Sequence, residues 1–222
     1  MSGLPRPRSC ASISVVVVDV DAVLFDMDGT LVSSDAAVER AWTSWATEQG
    51  LDPAAVLAIA HGQPTERTIG RILPELPPAK VAEAAARLLA LECDDLADVV
   101  PTVGVDRLIA VLDRRALPWA VFTTASRRLA QVRLDAAGIE PPVLVTADDV
   151  TANKPDPEGY LRAARRLGVA PSRCLVVEDT EPGLTAGRTA GAMTAALKGL
   201  DGDIRLADLG QLADVLDEPS PR

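Results

Sequence analysis

The segment VVVVDVDAVLFDMDGTL, Val15 through Leu31, holds two Asp-x-Asp pairs, Asp19/Asp21 and Asp26/Asp28. Each follows apolar residues of high strand propensity. Further along, the apolar run PWAVFTTA ends in Thr123-Thr124, the loop NKPDP carries Lys154, and the run CLVVED ends in Glu178-Asp179. Carboxylate oxygens suit a hard cation such as Mg²⁺. A hydroxyl, backbone N–H groups and an ammonium suit phosphate oxygens. The chemistry that such a set could perform is phosphoryl transfer.

These residues must be brought together by the elements that carry them. DAVLFDMD, PWAVFTTA (118–125), PPVLVTAD (141–148) and SRCLVVEDT (172–180) are continuous apolar runs rather than alternating ones. Strands buried on both faces of a parallel sheet have this pattern. Helical patterns lie between them: RRLAQVRLDAAGI stops at Gly138, PEGYLRAARRLGV stops at Gly168, and GLTAGRTAGA follows Thr180. ADLGQLADVLDEPSPR reads as a last helix. Strand alternating with helix predicts a Rossmann-like, doubly wound α/β fold with a parallel sheet. Ligands of such sheets bind at the carboxyl ends of the strands, where the residues above are expected to converge.

Residues 34–100 break the alternation. SDAAVERAWTSWATEQG, PAAVLAIAHG, TERTIGRIL and PAKVAEAAARLLALECDDLADVV are all helical in period. They predict an all-helical domain inserted after the first strand. The core is then expected over 21–33 and 101–222, with 1–20 a Pro/Arg-rich lead-in. Hinges are expected near Val32–Ser34 and Val99–Thr102. Trp42 and Trp45, three residues apart, read as packing of the helical domain, and Glu39 and Arg40 as solvated.

Composition narrows the function classes. Apolar residues are 48% and charged residues 24%, a globular profile. The formal charge of −10 argues against a nucleic-acid partner. No apolar run approaches the roughly 20 residues of a membrane span. Three widely spaced cysteines, Cys10, Cys93 and Cys174, read as reduced thiols in a cytoplasmic protein. A single histidine, His61, excludes multi-histidine metal sites and leaves oxygen ligands. A monomer is the default expectation.

Taken together, DMDGTLV, PWAVFTTASR, NKPDPEGYLRAARRLGV and CLVVEDTEPGLTAG resemble, in order and spacing, the four motifs of the haloacid-dehalogenase (HAD) superfamily of phosphohydrolases. The resemblance runs from about residue 21. It favours Asp26 and Asp28 over Asp19 and Asp21, which fall upstream of it. Gly29 also gives Asp26 and Asp28 a sharp exit from the strand, whereas Asp21 is followed by Ala-Val. The resemblance implies that Asp26 is a nucleophile forming an aspartyl-phosphate and that Asp28 is the general acid and then the general base. It implies a Mg²⁺ ion held by Asp26, the Asp28 carbonyl and Asp179, with Glu178 nearby. Thr123 and the N–H of Thr124 would hold the phosphoryl group, and Lys154 would neutralise it together with Asp26.

The helical insert VERAWTSWATEQGLDPAAVLAIAHGQPTERTI resembles the cap domains of sugar-phosphate and polyol-phosphate phosphatases in that superfamily, such as 2-deoxyglucose-6-phosphate and glycerol-3-phosphate phosphatases. His61, Gly62, Gln63 and Arg67 are therefore candidates for contacting the leaving group. The expected activity is Mg²⁺-dependent hydrolysis of a small phosphorylated sugar or polyol. The main rival is a sugar phosphomutase of the β-phosphoglucomutase type, which hands the phosphoryl group to a second hydroxyl instead of water. A haloacid dehalogenase needs no second aspartate like Asp28. A non-catalytic phospho-switch receiver is shorter and carries no helical insert.

Overall fold

The computed structural model describes residues 19–60 and 65–217. A six-stranded parallel sheet runs in the order β5-β4-β1-β6-β7-β8: β1 Ala22–Phe25, β4 Trp119–Phe122, β5 Leu144–Val145, β6 Cys174–Glu178, β7 Met193–Ala196 and β8 Ile204–Arg205. β1 lies in the middle, paired with β4 on one side and β6 on the other. AVLF, WAVF and CLVVE are buried along their whole lengths. Successive side chains point to opposite faces. Val23, Phe25, Val121, Leu175 and Val177 enter one apolar cluster with helices α5 (Val105–Arg114), α6 (Arg127–Ala136) and α9 (Leu209–Asp217). Ala22, Leu24, Phe122 and Val176 enter the other, with α7 (Glu158–Leu167) and α8 (Glu181–Thr189). Each fully buried Val, Leu or Phe contributes about 1.5–3 kcal/mol relative to exposure. The continuous apolar runs are continuous because both faces are covered.

The expected strand over 141–148 is shorter than its apolar run. Pro141 and Pro142 have no N–H to give a ladder, and pairing with β4 is confined to Leu144 and Val145. The chain then turns through Ala147–Asp149.

The segment 35–94 holds four helices among the described residues: α1 Asp35–Glu48, α2 Pro53–Ala60, α3 Thr65–Ile72 and α4 Pro78–Asp94. They share an apolar cluster of their own, centred on Trp42, Trp45, Val56, Ile69 and Leu88. Trp42 and Trp45 meet edge to face, ring centroids 5.5 Å apart, and the Trp45 indole donates to the Ala84 carbonyl at 3.1 Å. Such an aromatic pair adds about 0.5–1.5 kcal/mol beyond its burial. Arg40 is not simply solvated as its sequence position suggested: its guanidinium grips Asp95 at 2.7 Å and Asp98 at 2.7 Å, tying α1 to the chain leaving α4.

A two-stranded antiparallel ribbon joins the helical segment to the sheet. β2 (Val32–Ser33) pairs with β3 (Val100–Pro101), where the hinges were expected. Thr102 fastens it, its N–H donating to the Leu31 carbonyl at 2.9 Å and its hydroxyl to the Thr30 carbonyl at 2.5 Å.

Candidate active site

The carboxyl ends of β1, β4 and β6 meet at one rim, and the side chains there come from the strand-to-helix turns. After β1 come Asp26, Met27 and Asp28, and the chain turns at Gly29, whose φ is +79°. A Cβ at Gly29 would also fall 2.1 Å from the Asp179 carboxylate, so only glycine fits. After β4, Thr123 is buried and its hydroxyl accepts from the Ala125 N–H at 3.0 Å, while Thr124 is exposed in the turn before α6. After β6 come Glu178 and Asp179, and Thr180 caps α8 by accepting from the Gly183 N–H at 3.2 Å.

Lys154 ties these turns together. Its ammonium bonds the Asp26 carboxylate, the Glu178 carboxylate at 2.6 Å and the Phe122 carbonyl at 3.2 Å. It lies 5.0 Å from the centre of the Phe122 ring and 5.3 Å from that of Tyr160. Burial works against its charge, but Asp26 and Glu178 outweigh it and hold its pKa above the usual lysine value. Glu178 is wholly buried. One of its oxygens takes Lys154 and the Tyr160 hydroxyl, and the other takes the Asp179 and Thr180 N–H groups and the Thr180 hydroxyl.

Asp26 and Asp179 are also buried. Burial pushes the Asp26 carboxyl well above the ordinary range; Lys154 opposes this, and Glu178 and Asp179 add to it. Burial likewise raises Asp179, opposed by Lys198, whose ammonium lies 2.9 Å away. Thr30 donates to the other Asp179 oxygen at 3.2 Å. Oxygens of Asp26, Glu178 and Asp179 lie within 4.8 Å of one another. Lys154 and Lys198 are the ammonium groups that pair with these three carboxylates, and Lys198 is shared with Asp35, so carboxylates outnumber cations here. An all-oxygen set with surplus negative charge fits a divalent cation of the Mg²⁺ type. Asp28, two residues from Asp26, is half-buried, and one of its oxygens accepts from the Ser34 hydroxyl at 2.6 Å and from Arg133 at 2.9 Å.

The rim opens into a cavity of about 480 Å³. Asp26, Asp28, Thr123, Thr124, Lys154 and Asp179 line one side. Every helix of the inserted segment supplies the other: Val38 and Trp42 from α1, Ala60 from α2, Thr65 from α3 and Glu92 from α4. Arg67, also on α3, is exposed and is not part of that lining. His61, Gly62 and Gln63 lie outside the described residues. The earlier pair, Asp19 and Asp21, is away from the cavity and grips Arg173 at 3.0 and 2.9 Å.

Among the cavity residues that were not anticipated are Lys198, which reaches Asp179, and a buried ion pair. Arg133 on α6 is 3% exposed and Glu92 on α4 is 8% exposed, and they pair with each other at 3.1 Å. Burial raises the Glu92 carboxyl, with Arg133 opposing. The signal was present in the sequence: Arg133 stands four residues after the buried Leu129, and Glu92 four after the buried Leu88, so each is a charge in an apolar helical stripe.

This fold and this rim define a class, the HAD-like hydrolases. A model of the haloacid dehalogenase-like hydrolase family matches residues 20–191, and the chain belongs to that family. Among its relatives, hexitol phosphatase A of Escherichia coli (strain K12) is 39% identical over 175 residues, which span 78% of this chain and 81% of that protein. The 2-deoxyglucose-6-phosphate phosphatase 1 of Saccharomyces cerevisiae is 35% identical over 200 residues, spanning 80% of this chain and 79% of that protein. Among solved structures, CbbY from Rhodobacter sphaeroides in complex with phosphate superposes with a TM-score of 0.75 at 26% identity, covering 90% of this chain and all of that one. The chain is an enzyme of this class, and its phosphatase relatives support a phosphoric monoester hydrolase.

Proposed function

We propose that the protein is a Mg²⁺-dependent phosphatase of small phosphorylated sugars or polyols that works through an aspartyl-phosphate. The observation that carries this reading is the contact of Lys154 with Asp26 in the wall of a cavity that the inserted helices help to line. The sugar- and polyol-phosphatase relatives supply the substrate class.

In this reading the Asp26 carboxylate attacks phosphorus and the ester bond to the leaving oxygen breaks. Asp28 gives that oxygen its proton. A water molecule, losing its proton to Asp28, then attacks phosphorus and releases inorganic phosphate and free Asp26. Thr123 and the Thr124 N–H hold the transferring group, and Lys154 offsets charge on it and on Asp26. Asp26, the Asp28 carbonyl and Asp179 would hold Mg²⁺, while Glu178, whose oxygens are engaged by Lys154, Tyr160 and the start of α8, fixes Lys154. Bound there, the cation would offset repulsion between the carboxylate and the anionic ester. The helical segment acts as a cap on the β2/β3 ribbon and excludes water, with His61, Gly62, Gln63 and Arg67 as candidates for contacting the leaving group. No described helix is long and apolar enough to cross a membrane, and a cytoplasmic location is proposed on the separate ground that the cysteines read as reduced thiols.

The test is phosphate release from a panel of hexitol, deoxyhexose and glycerol phosphates, with Mg²⁺ and with EDTA, in the wild type and in Asp26→Asn and Asp28→Asn. Release that needs Mg²⁺ and is lost in both variants is expected. Isomerisation of β-glucose-1-phosphate by NMR without net release would move the reading to a mutase.

A further inference from the structure

We propose that Arg133 and Glu92 read the hydroxyl groups of the leaving group and so select a polyol over an alkyl ester. The proposal rests on the phosphatase reading above. It starts from a pairing that is poorly explained as a mere tie between α4 and α6. Taking both charges out of water is costly, and an apolar pair of similar size would join two helices at least as well. The guanidinium is also left unsatisfied: Nη1 bonds Asp28 at 2.9 Å and Nη2 bonds Glu92 at 3.1 Å, but the buried Nε has no partner among the described residues. An orphaned buried donor costs free energy, which a structural tie would be expected to avoid.

Position supplies the second argument. Arg133 and Glu92 both line the cavity, and Arg133 touches Asp28. If Asp28 protonates the leaving oxygen, the carbon chain on that oxygen begins beside this pair. The helical wall also offers apolar Val38, Trp42 and Ala60 together with polar Asp35 and Thr65, but of its residues only Glu92 is a buried charge. Chemistry supplies the third. Arginine only donates hydrogen bonds and an ionised glutamate only accepts them, whereas a hydroxyl does both. Two neighbouring hydroxyls can accept from the guanidinium and donate to the carboxylate, replacing part of the Arg133–Glu92 contact without leaving either charge bare. An alkyl chain in the same place can do neither. Sites built to hydrogen-bond a hydroxyl reject the analogue that lacks it more strongly than apolar pockets reject an extra methylene.

The experiment compares glucitol 6-phosphate with hexyl phosphate, which has the same carbon count and no hydroxyl. It measures kcat and KM for both in the wild type, Glu92→Gln and Arg133→Lys. The readout is the ratio of kcat/KM for the two esters, from which the concentration of folded enzyme cancels. The wild type is expected to prefer the polyol ester by about 100-fold or more. Both variants should reduce that preference by about tenfold or more, mostly through KM for glucitol 6-phosphate. A ratio unchanged within about threefold in both variants, whatever happens to the absolute rates, would overturn the proposal and leave a structural tie. A wild type that hydrolyses both esters equally would also overturn it while leaving the phosphatase reading intact. A wild type that hydrolyses neither ester, nor any of the phosphate panel, would bring down that reading and this one together.

Discussion

Two buried cations sit on the same cavity and differ in how they are held. Lys154 belongs wholly to the α/β core: Asp26, Glu178 and the Phe122 carbonyl surround it, and two aromatic rings flank it. Arg133 spans a seam, with Asp28 of the core on one side and Glu92 of the inserted helices on the other, and one donor is left over. The first arrangement is fully satisfied, which suits the proposed role of a group that meets developing charge without reorganising. The second is incompletely satisfied and crosses between two apolar clusters, as a group that changes partners when substrate arrives should be. On the proposed reading, phosphoryl transfer and recognition of the leaving group thus fall on different kinds of contact.

The comparison can be broken at either cation. The largest effect is expected at the core. Asp26→Asn should lower phosphate release by on the order of 10³-fold or more, because the proposed nucleophile is gone, as steady-state assays would read. EDTA should abolish release, and added Mg²⁺ should restore it with the fold unchanged by circular dichroism. Lys154→Met should both slow turnover and destabilise the protein by about 3–5 kcal/mol in urea unfolding, since it strips the partner from buried carboxylates. Gly183→Ala should cost about 1–3 kcal/mol in the same experiment: its Cβ would lie 1.8 Å from the Glu178 carboxylate, which must shift and carry Lys154 with it.

The smallest effect is expected far from the cavity, at the Asp19/Asp21–Arg173 clamp. Arg173 holds both carboxyls below their usual range on an exposed surface, chiefly through its hydrogen bonds. A lowered folded pKa means that the clamp contributes above the unfolded value of about 3.9 and loses its contribution as pH falls through the lowered ones. The difference in thermal midpoint between the wild type and Arg173→Ala should be small at pH 7, shrink further in high salt and vanish in strong acid.

The parts of the fold legible in the sequence were those written in bulk. AVLF, WAVF and CLVVE are long enough and apolar enough to read as two-sided strands, and the chemical residues stand directly after them. The four inserted helices were legible by period. β7, MTAA, was not, because it is buried with small side chains and shows no apolar run. The pairs β2/β3 and β8 are two residues long and carry no period at all. Missing β7 hid Lys198, which follows it and reaches Asp179. Helix α5 has an apolar stripe through Val105, Leu108, Val111 and Leu112 that could have been read and was not. The clamp on Arg173 joins residues about 150 positions apart, which no local pattern encodes. Arg133 and Glu92 are the instructive omission: each was visible as a charge where its helix should be apolar.

The central claim is that Asp26 carries the phosphoryl group. The direct measurement is to quench the enzyme in acid during turnover of a polyol phosphate with Mg²⁺, reduce it with borohydride and sequence the peptides by mass spectrometry. An acyl phosphate on Asp26 would be reduced to homoserine at that position, absent without substrate and absent in Asp26→Asn. Turnover at full rate with Asp26 always recovered unmodified, or with the label on another residue, would contradict the account.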